Sequence, residues 1–408
     1  MTNPRVLVVA PRLDIGGTEV HLARVLPKLR QAGLDVSLFT IARGGRLEPD
    51  FIAAGVPVLG IEVAGPRLLR SLRAAHVLRQ EIRRLRPDIL QFFLPEPSLI
   101  GSLAAAGLAS PLRIMSRRSL SHYRRNHLFL AWLDRRINRS MNSLIGNSSA
   151  VAAELIEECG DADKVGIIHN GIEVPPTPDA QSRATCRARL GTPDDAFVIV
   201  MIANLFPYKG HADLIAALGL VHGRLRGPWR LLLIGRDEGI GAVLKTQSET
   251  LGINANILWL GERSDSQELL AAADLGILAS HQEGFSNSLI EMMAQAMPVV
   301  ATSVGGNIDA VVDGESGRLV PAKDPAALGE AIADLYEDAD TQKRMGDAAR
   351  SRVERLFSLE LCVHRYLNLY RGLIADKTIP AAQLIDPPGA GGVPSAQRVS
   401  SNAEKISG

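Results

Sequence analysis

The hydrophobic pattern opens with Arg5-Val6-Leu7-Val8-Val9-Ala10, a β-branched run without polar alternation. Such a run marks a strand buried on both faces of a parallel sheet. Apolar residues then recur at Leu22, Val25, Leu26 and Leu29, a helical spacing. Further strand-like runs lie at 35–40, 57–61, 89–93, 112–116 and 143–146, with helical stretches between most of them, notably 68–85. Alternating strands and helices predict a doubly wound parallel sheet. At Ile172-Glu173-Val174-Pro175-Pro176-Thr177-Pro178 the pattern stops, and proline density marks a linker. A second series follows at 197–202, 230–234, 257–260, 275–279, 298–302 and 317–320. A last helix, about 358–374, is long enough to cross back onto the first domain, and from Asp376 the composition predicts a disordered tail. The expected α/β organisation is a first domain over 1–175, a linker over 176–190 and a second domain over 191–357. A returning helix over 358–375 and the tail 376–408 complete it. Two such halves would face a central cleft lined by the carboxyl ends of their strands.

With 408 residues the chain exceeds one typical core, which agrees with two domains. Aromatics make up only 4% of it, which argues against stacking platforms and a nucleic-acid partner. The net charge of +1 hides an asymmetry: residues 1–150 hold 22 Lys/Arg against 10 Asp/Glu, a net +12. A basic first half suits an anionic partner or an acidic membrane surface; a solvated arginine-rich face is the bland alternative. Cys159, Cys186 and Cys362 are far apart without metal-ligand spacing, as in a reduced cytosolic protein. No signal-peptide pattern precedes the first strand, and the weakly polar stretch 99–109 is too short to span a bilayer. The expected location is therefore cytoplasmic, in solution or peripheral on the inner face of the plasma membrane.

The chemistry centres on Glu283 and Glu291. Glu283 follows the strand-like run 275–279, and Glu291 is the only ionisable residue in the apolar helix 288–297. A helix apolar all round is buried, and a buried carboxylate needs a donor. Two carboxylates flanking a glycine-containing loop at a strand-to-helix junction suit a polyhydroxylated ligand. The alternative pairs Glu291 with a basic neighbour and leaves Glu283 solvated. Lys209 lies in the loop Ala203-Asn204-Leu205-Phe206-Pro207-Tyr208-Lys209-Gly210, where an ammonium reaches a phosphate at a helix start. Gly16-Gly17 and Gly305-Gly306 each follow a strand and precede a helix, permitting close backbone approach to an anion. Neither pair forms a full dinucleotide or phosphate-loop signature, and a tight turn explains such a pair more often than not.

Together these segments resemble the retaining GT-B glycosyltransferases of family 4 over about residues 4–375. The resemblance also rests on Asn147-Ser148-Ser149, His169-Asn170-Gly171-Ile172, Gly235-Arg236, Leu260-Gly261 and the seven-residue interval between Glu283 and Glu291. It implies two Rossmann-like domains, with the acceptor in the first and a nucleotide sugar in the second. Lys209 would bind the diphosphate and stabilise the leaving nucleotide, and Glu283 would contact the donor sugar. The backbone of Gly284, Phe285, Ser286 and Asn287 would hold sugar hydroxyls and phosphate. Glu291 would accept from the ribose diol, the backbone near Arg263 would meet the base, and Leu289 belongs to the same donor-binding set. Gly16 and Gly17 would form the phosphate or acceptor loop. No metal and no cofactor are expected, since Lys209 and helix N-termini supply the positive charge.

Two departures stand out. Where many members carry an arginine before the loop lysine, this chain has Asn204, so Arg236 or Arg263 would assist. The strand Arg113-Ile114-Met115-Ser116-Arg117-Arg118 lacks the histidine common there, leaving Arg117, Arg118 and His122 as open candidates. At about 1 kcal/mol per basic residue, a few of Arg117, Arg118, Arg124, Arg125, Arg135 and Arg136 would dock the first domain on an anionic leaflet. The implied activity moves a sugar from a nucleotide-diphosphate sugar to a carbohydrate or lipid-linked acceptor, in cell-envelope, exopolysaccharide or glycolipid synthesis. A non-catalytic sugar-nucleotide-binding protein and a nucleotide-sugar epimerase are the alternatives.

Overall fold

The computed structural model describes residues 4–62, 66–108, 111–120 and 128–376. His122, Arg124, Arg125 and the tail beyond 376 lie outside them. The chain divides into two compact units, one holding residues up to Gly171 and those from Leu359 on, the other Ile172–Ser358.

The first unit is a seven-stranded parallel sheet in the order β3-β2-β1-β4-β5-β6-β7. Its strands are β1 (Arg5–Ala10), β2 (Asp35–Thr40), β3 (Val58–Gly60), β4 (Ile89–Phe93), β5 (Leu112–Arg117), β6 (Ser143–Gly146) and β7 (Val165–Ile167). Its helices are α1 (Gly17–Gln31), α2 (Glu48–Ala53), α3 (Arg67–Leu85), α4 (Pro95–Ala104), α5 (Leu128–Arg139) and α6 (Ser149–Cys159). Strand residues split by parity. Val6 and Val8 pack with Leu22, Val25 and Leu26 of α1, while Leu7 and Val9 pack with Leu78 of α3 and Leu155 of α6. That alternation is why continuous apolar runs are required: both faces of the sheet are covered. The C-terminal helix Leu359–Asp376 joins the α1 face through Tyr366, Leu369, Tyr370 and Leu373.

The second unit is a six-stranded parallel sheet in the order β10-β9-β8-β11-β12-β13. Its strands are β8 (Phe197–Ile202), β9 (Trp229–Ile234), β10 (Ile257–Gly261), β11 (Leu275–Leu278), β12 (Val299–Thr302) and β13 (Arg318–Val320). Helices α7 (Ala180–Arg189), α8 (His211–Val221), α9 (Gly241–Thr250), α10 (Ser266–Leu269), α11 (Asn287–Ala294), α12 (Asn307–Ala310), α13 (Pro325–Glu337) and α14 (Ala339–Leu356) complete it.

Two sequence expectations need correction. The segment 176–190 is not an extended linker, because α7 occupies most of it. Asp179 caps that helix, its Oδ1 accepting from Ser182 N at 2.7 Å, and Arg187 is buried against Ala272 O and Asp274. The proline run ends at Pro178, and a cap residue directly after it starts a helix. The second correction concerns charge. Arg117 is 1% exposed and its guanidinium makes two 2.7 Å bonds to the Glu158 carboxylate, while Arg118 is buried too. Neither side chain reaches a membrane.

His211 begins α8 and is buried. Loss of hydration holds its imidazole down to about 4, with Lys209 adding to the shift and the Ala203 backbone opposing it. An unfolded histidine titrates near 6.5, so between 6.5 and 4 the unfolded chain binds the extra proton. The stability this neutral group supports is complete above pH 6.5 and disappears as the pH falls towards 4, a loss of about 3 kcal/mol. Urea titrations across that window should therefore show a shallower pH slope for His211→Gln than for the parent. Parallel slopes would remove His211 as the source.

Candidate functional site

In the second unit the chain leaves β8 towards β9 and β10, then returns to place β11 on the opposite side of β8. The loops after β8 and β11 therefore diverge from a switch point, where ligands of doubly wound sheets bind. Those two loops carry Lys209 and Glu283.

Backbone geometry brings them together. Pro207–Lys209 forms a single tight turn, closed by Gly210 at φ +74°. A Cβ on Gly210 would stand 1.9 Å from Ala279 O at the end of β11, so the β8 loop presses directly on the β11 loop. His281 N completes the seam by donating to Tyr208 O at 2.7 Å. On the other side Gly305, at φ +49°, lies so close that a Cβ would meet Glu283 O at 1.7 Å. Both positions need a residue without a side chain, for conformation and for space.

The result is an ion pair with Lys209 Nζ 2.5 Å from Glu283 Oε1. Ser280 Oγ donates to the same oxygen at 2.7 Å, and Thr302 Oγ1 fixes that loop by donating to Ser280 O at 2.5 Å. The Lys209 side chain is 19% exposed and that of Glu283 10%, so both charges are largely withdrawn from water. Glu283 is thus neither solvated nor isolated. The Tyr208 ring centroid lies 5.3 Å from Nζ, adding a cation–π contact. Beyond it, His281 Nε2 and Asp213 Oδ2 meet at 2.6 Å.

Gly284, Phe285 and Ser286 lead from Glu283 into α11. Ser286 caps that helix, accepting from Leu289 N at 3.3 Å, so the N–H groups opening at Asn287 point towards the switch point. Glu291 is buried on α11 beside Leu289, Ile290, Met292 and Met293. A carboxylate kept in such surroundings carries a desolvation cost that only donors offset.

The remaining donor-side candidates follow along the carboxyl edge. In spatial order across the sheet, Arg263 follows β10, Arg236 follows β9, Asn204 and Lys209 follow β8, Glu283 follows β11 and Gly305 follows β12. At about 4.8 Å per strand this row runs for roughly 19 Å, suited to an elongated ligand rather than a lone ring. Asn204 Oδ1 accepts from Arg236 N at 3.0 Å and ties the two loops. The Arg236 guanidinium bonds Glu238 at 2.7 Å, and Arg263 bonds Asp265 at 2.7 and 2.6 Å. The Arg263 hydrogen bond pulls the Asp265 carboxyl down to about 2. Each arginine therefore carries a carboxylate partner, as Lys209 does in Glu283.

In the first unit the switch point lies between β1 and β4. Gly16 caps α1 and Gly17 begins it; Glu19 folds back so that a Cβ on Gly16 would stand 2.5 Å from its Oε2. Burial raises the Glu19 pKa, partly offset by its own backbone hydrogen bond and by Arg118. Arg118 follows β5, and its guanidinium bonds Asn170 Oδ1 after β7, while Asn147 Nδ2 after β6 donates to Arg118 O at 3.2 Å. His21 meets Tyr366 Oη at 3.2 Å. The Asn147 and Asn170 motifs thus converge on Arg118, which stands within the electrostatic reach of Glu19 at the α1 loop. Arg117 does not join them, being held by Glu158 and, through it, by Asn138.

Sequence reasoning missed Ser280, Thr302, Tyr208 and the His281–Asp213 pair. Thr302 and the His281–Asp213 pair act through contacts between segments far apart in the chain, whereas Ser280 reaches Glu283 three residues on and the Tyr208 ring lies against its neighbour Lys209. Only Ser280-His281, polar residues directly after an apolar strand, left a local signal.

Two family models match the chain: Glycosyltransferase Family 4 over residues 15–174 and Glycosyl transferases group 1 over residues 182–352. A D-inositol 3-phosphate glycosyltransferase of Corynebacterium efficiens is 30% identical over 391 residues, covering 88% of this chain and 90% of its own. One from Streptomyces scabiei is 29% identical over 373 residues, covering 84% and 83%. Among solved structures, Anabaena Alr3699/HepE in complex with UDP superposes with a TM-score of 0.79 at 22% identity, over 90% of this chain and all of the other. Its complex with UDP and glucose gives 0.80 at 20% identity, covering 91% and 100%. Sucrose-phosphate synthase from Thermosynechococcus elongatus gives 0.78 at 20% identity, covering 91% and 99%. Two Rossmann-like sheets, a switch-point Lys209–Glu283 pair and these matches agree: the chain belongs to the group 1, family 4 glycosyltransferases of GT-B fold.

Proposed function

We propose that this glycosyltransferase takes a sugar from a nucleoside diphosphate sugar and delivers it, with retained anomeric configuration, to a hydroxyl of a carbohydrate or lipid-linked acceptor. The Lys209–Glu283 pair at the switch point carries this reading. Cleaving a glycosyl–phosphate bond builds negative charge on the diphosphate and positive charge on the anomeric carbon. An ammonium and a carboxylate held in contact, largely out of water, oppose both developments at once. The incoming diphosphate draws Nζ away from Oε1, and the released carboxylate accepts from the sugar hydroxyls, with Ser280 holding its orientation. The N–H groups from Gly284 to Asn287 face the phosphate and sugar. Glu291 on α11, buried beside the donor loop, takes the ribose diol. The arginine pairs after β9 and β10 flank the base.

Lys209 and these N–H groups supply the charge stabilisation that a divalent cation gives in other transferases, so the reaction is metal-independent. Envelope polysaccharide or glycolipid assembly is the setting that suits the acceptor class. The D-inositol 3-phosphate glycosyltransferases among the relatives add a phosphorylated polyol to the acceptors worth assaying.

The direct test supplies radiolabelled UDP-, GDP- and ADP-sugars with a panel of carbohydrate, polyol phosphate and lipid-linked acceptors, with and without chelator. Label should appear on an acceptor at the same rate in both arms. Donor isomerised without transfer, or retained unchanged, would overturn transfer; loss of rate in chelator would overturn metal independence. Donor binding should show first as a thermal shift, since ligand at 100 times its Kd adds about 2.7 kcal/mol.

Lys209→Ala and Glu283→Gln should each lower kcat by about 10²–10³-fold, the cost of removing one transition-state donor or charge. Circular dichroism should confirm the fold, and a near-parental kcat in either variant would strip that residue of its role. Glu291→Gln should instead weaken donor binding about tenfold by calorimetry, or about 1.4 kcal/mol, with a smaller change in kcat. An unaltered donor Kd would remove Glu291 from the ribose.

A further inference from the structure

Much of the exposed apolar surface among the described residues stands on three neighbouring helices of the first unit. Leu68 and Leu72 on α3 are 72% and 51% exposed, Leu103 on α4 55%, and Phe129 and Trp132 on α5 71% and 55%. α3 packs against α4 and α4 against α5, so these side chains share one outer face. Each helix follows the carboxyl end of a strand. The exposed apolar residues occupy the first two turns of α3 and α5 and run along α4. The exposed residues of α3 and α5 therefore lie towards the carboxyl edge of the sheet, which carries Gly16, Arg118 and Asn170, while Leu103 lies at the far end of α4.

Its charge is one-sided. The three helices hold nine arginines against Glu81, Glu96 and Asp134. Arg73, Arg135, Arg136 and Arg139 are exposed. Phe129 and Trp132 stack at 6.0 Å with an interplanar angle of 25°, and the Arg136 guanidinium sits 5.8 Å from the Trp132 centroid. Aromatic rings with an adjacent guanidinium fit the headgroup level of a bilayer, with carbon below and charge above. A second copy of the chain would bring like charges together, which disfavours self-association through this face. No helix among the described residues is long and apolar enough to cross a membrane, so contact is interfacial.

We propose that the α3–α4–α5 face docks on a bilayer rich in acidic phospholipid, with Leu72, Leu103, Phe129 and Trp132 entering the interface and the exposed arginines meeting the headgroups. The inference goes beyond sugar transfer and stands on this face alone, whatever the reaction. It replaces buried Arg117 and Arg118 as the basis for a basic docking surface. Docked this way, the acceptor edge of the first sheet borders the leaflet, within reach of an acceptor anchored there.

Co-sedimentation of the full chain with phosphatidylcholine vesicles, with or without phosphatidylglycerol, tests it. The expected result is pelleting with the anionic vesicles only, weakened as salt shortens the Debye length. A variant carrying Phe129→Ser and Trp132→Ser should lower the bound-to-free ratio about tenfold or more, the loss of about 1.4 kcal/mol or more. Its melting temperature and donor-induced thermal shift should stay parental, because both residues are exposed and outside the donor site. Arg73→Gln with Arg135→Gln and Arg136→Gln should remove the salt-sensitive part. Equal pelleting with neutral vesicles overturns the proposal, as does unchanged pelleting of the serine variant. Concentration-dependent dimers abolished by Trp132→Ser, without vesicle binding, would assign the face to a second copy instead. The readout needs no turnover, so it fails or succeeds independently of the transfer assay.

Discussion

The contact between Lys209 and Glu283 is the constraint on which the second unit's site depends. Two charges with little exposure are costly apart, and their pairing is possible only because two loops from adjacent strands touch. Gly210 against Ala279 O and Gly305 against Glu283 O set that approach from both sides. The parallel pairing of β11 with β8 on one edge and β12 on the other places the three loops in a row. Sheet topology, glycine placement and charge pairing are thus one arrangement seen at three scales. On the function proposed above, a ligand entering there would meet a preassembled pair of opposite charges and exchange one partner for another.

Much of the architecture was legible because buried parallel strands must be apolar on both faces. The runs at Arg5–Ala10, Asp35–Thr40, Ile89–Phe93 and Phe197–Ile202 match observed strands to the residue. β7 escaped notice: its three residues, Val165–Ile167, are too few to stand out beside α6. α7 escaped for the opposite reason, since the proline run before it dominates the local composition. Its helix is held by Asp179 and by Arg187 reaching Asp274, a partner 87 residues away that no local pattern reveals.

At the site, residue type was readable and partnership was not. Lys209, Glu283 and Glu291 are conspicuous because each breaks a pattern, a cation in a strand-to-helix loop or a carboxylate in apolar surroundings. Which of them meet depends on strand order, which sequence spacing does not encode. Ser280 and Thr302 are ordinary in composition and matter only through what they touch. Arg236 and Arg263 illustrate the converse. Both stand at the carboxyl edge as their positions suggest, yet each is committed to a carboxylate two residues on. Net charge at that end of the row is therefore lower than the arginine count implies.

The same distinction governs the basic first half of the chain. A net +12 over residues 1–150 describes an average, whereas function depends on where the guanidinium groups end. Arg117 and Arg118 end inside the unit, Arg117 against Glu158 of α6 and Arg118 against Asn170, where Arg118 ties together the loops after β5, β6 and β7. For Arg118, burial lowers the pKa, opposed by Tyr366, Cys362 and Glu19. Arg135, Arg136 and Arg139 end outside, interleaved with exposed rings on α5. Position in the fold separates the two sets: Arg117 and Arg118 lie at the end of β5, whereas on α5 the arginines share its outer side with the exposed rings while Ile137 and Asn138 are buried. A surface that holds leucine, tryptophan and arginine together fits the boundary between carbon and anionic charge on which the docking proposal rests. A soluble anion would need the guanidinium groups alone, so the exposed rings beside them are what make a lipid surface the proposed partner of this face.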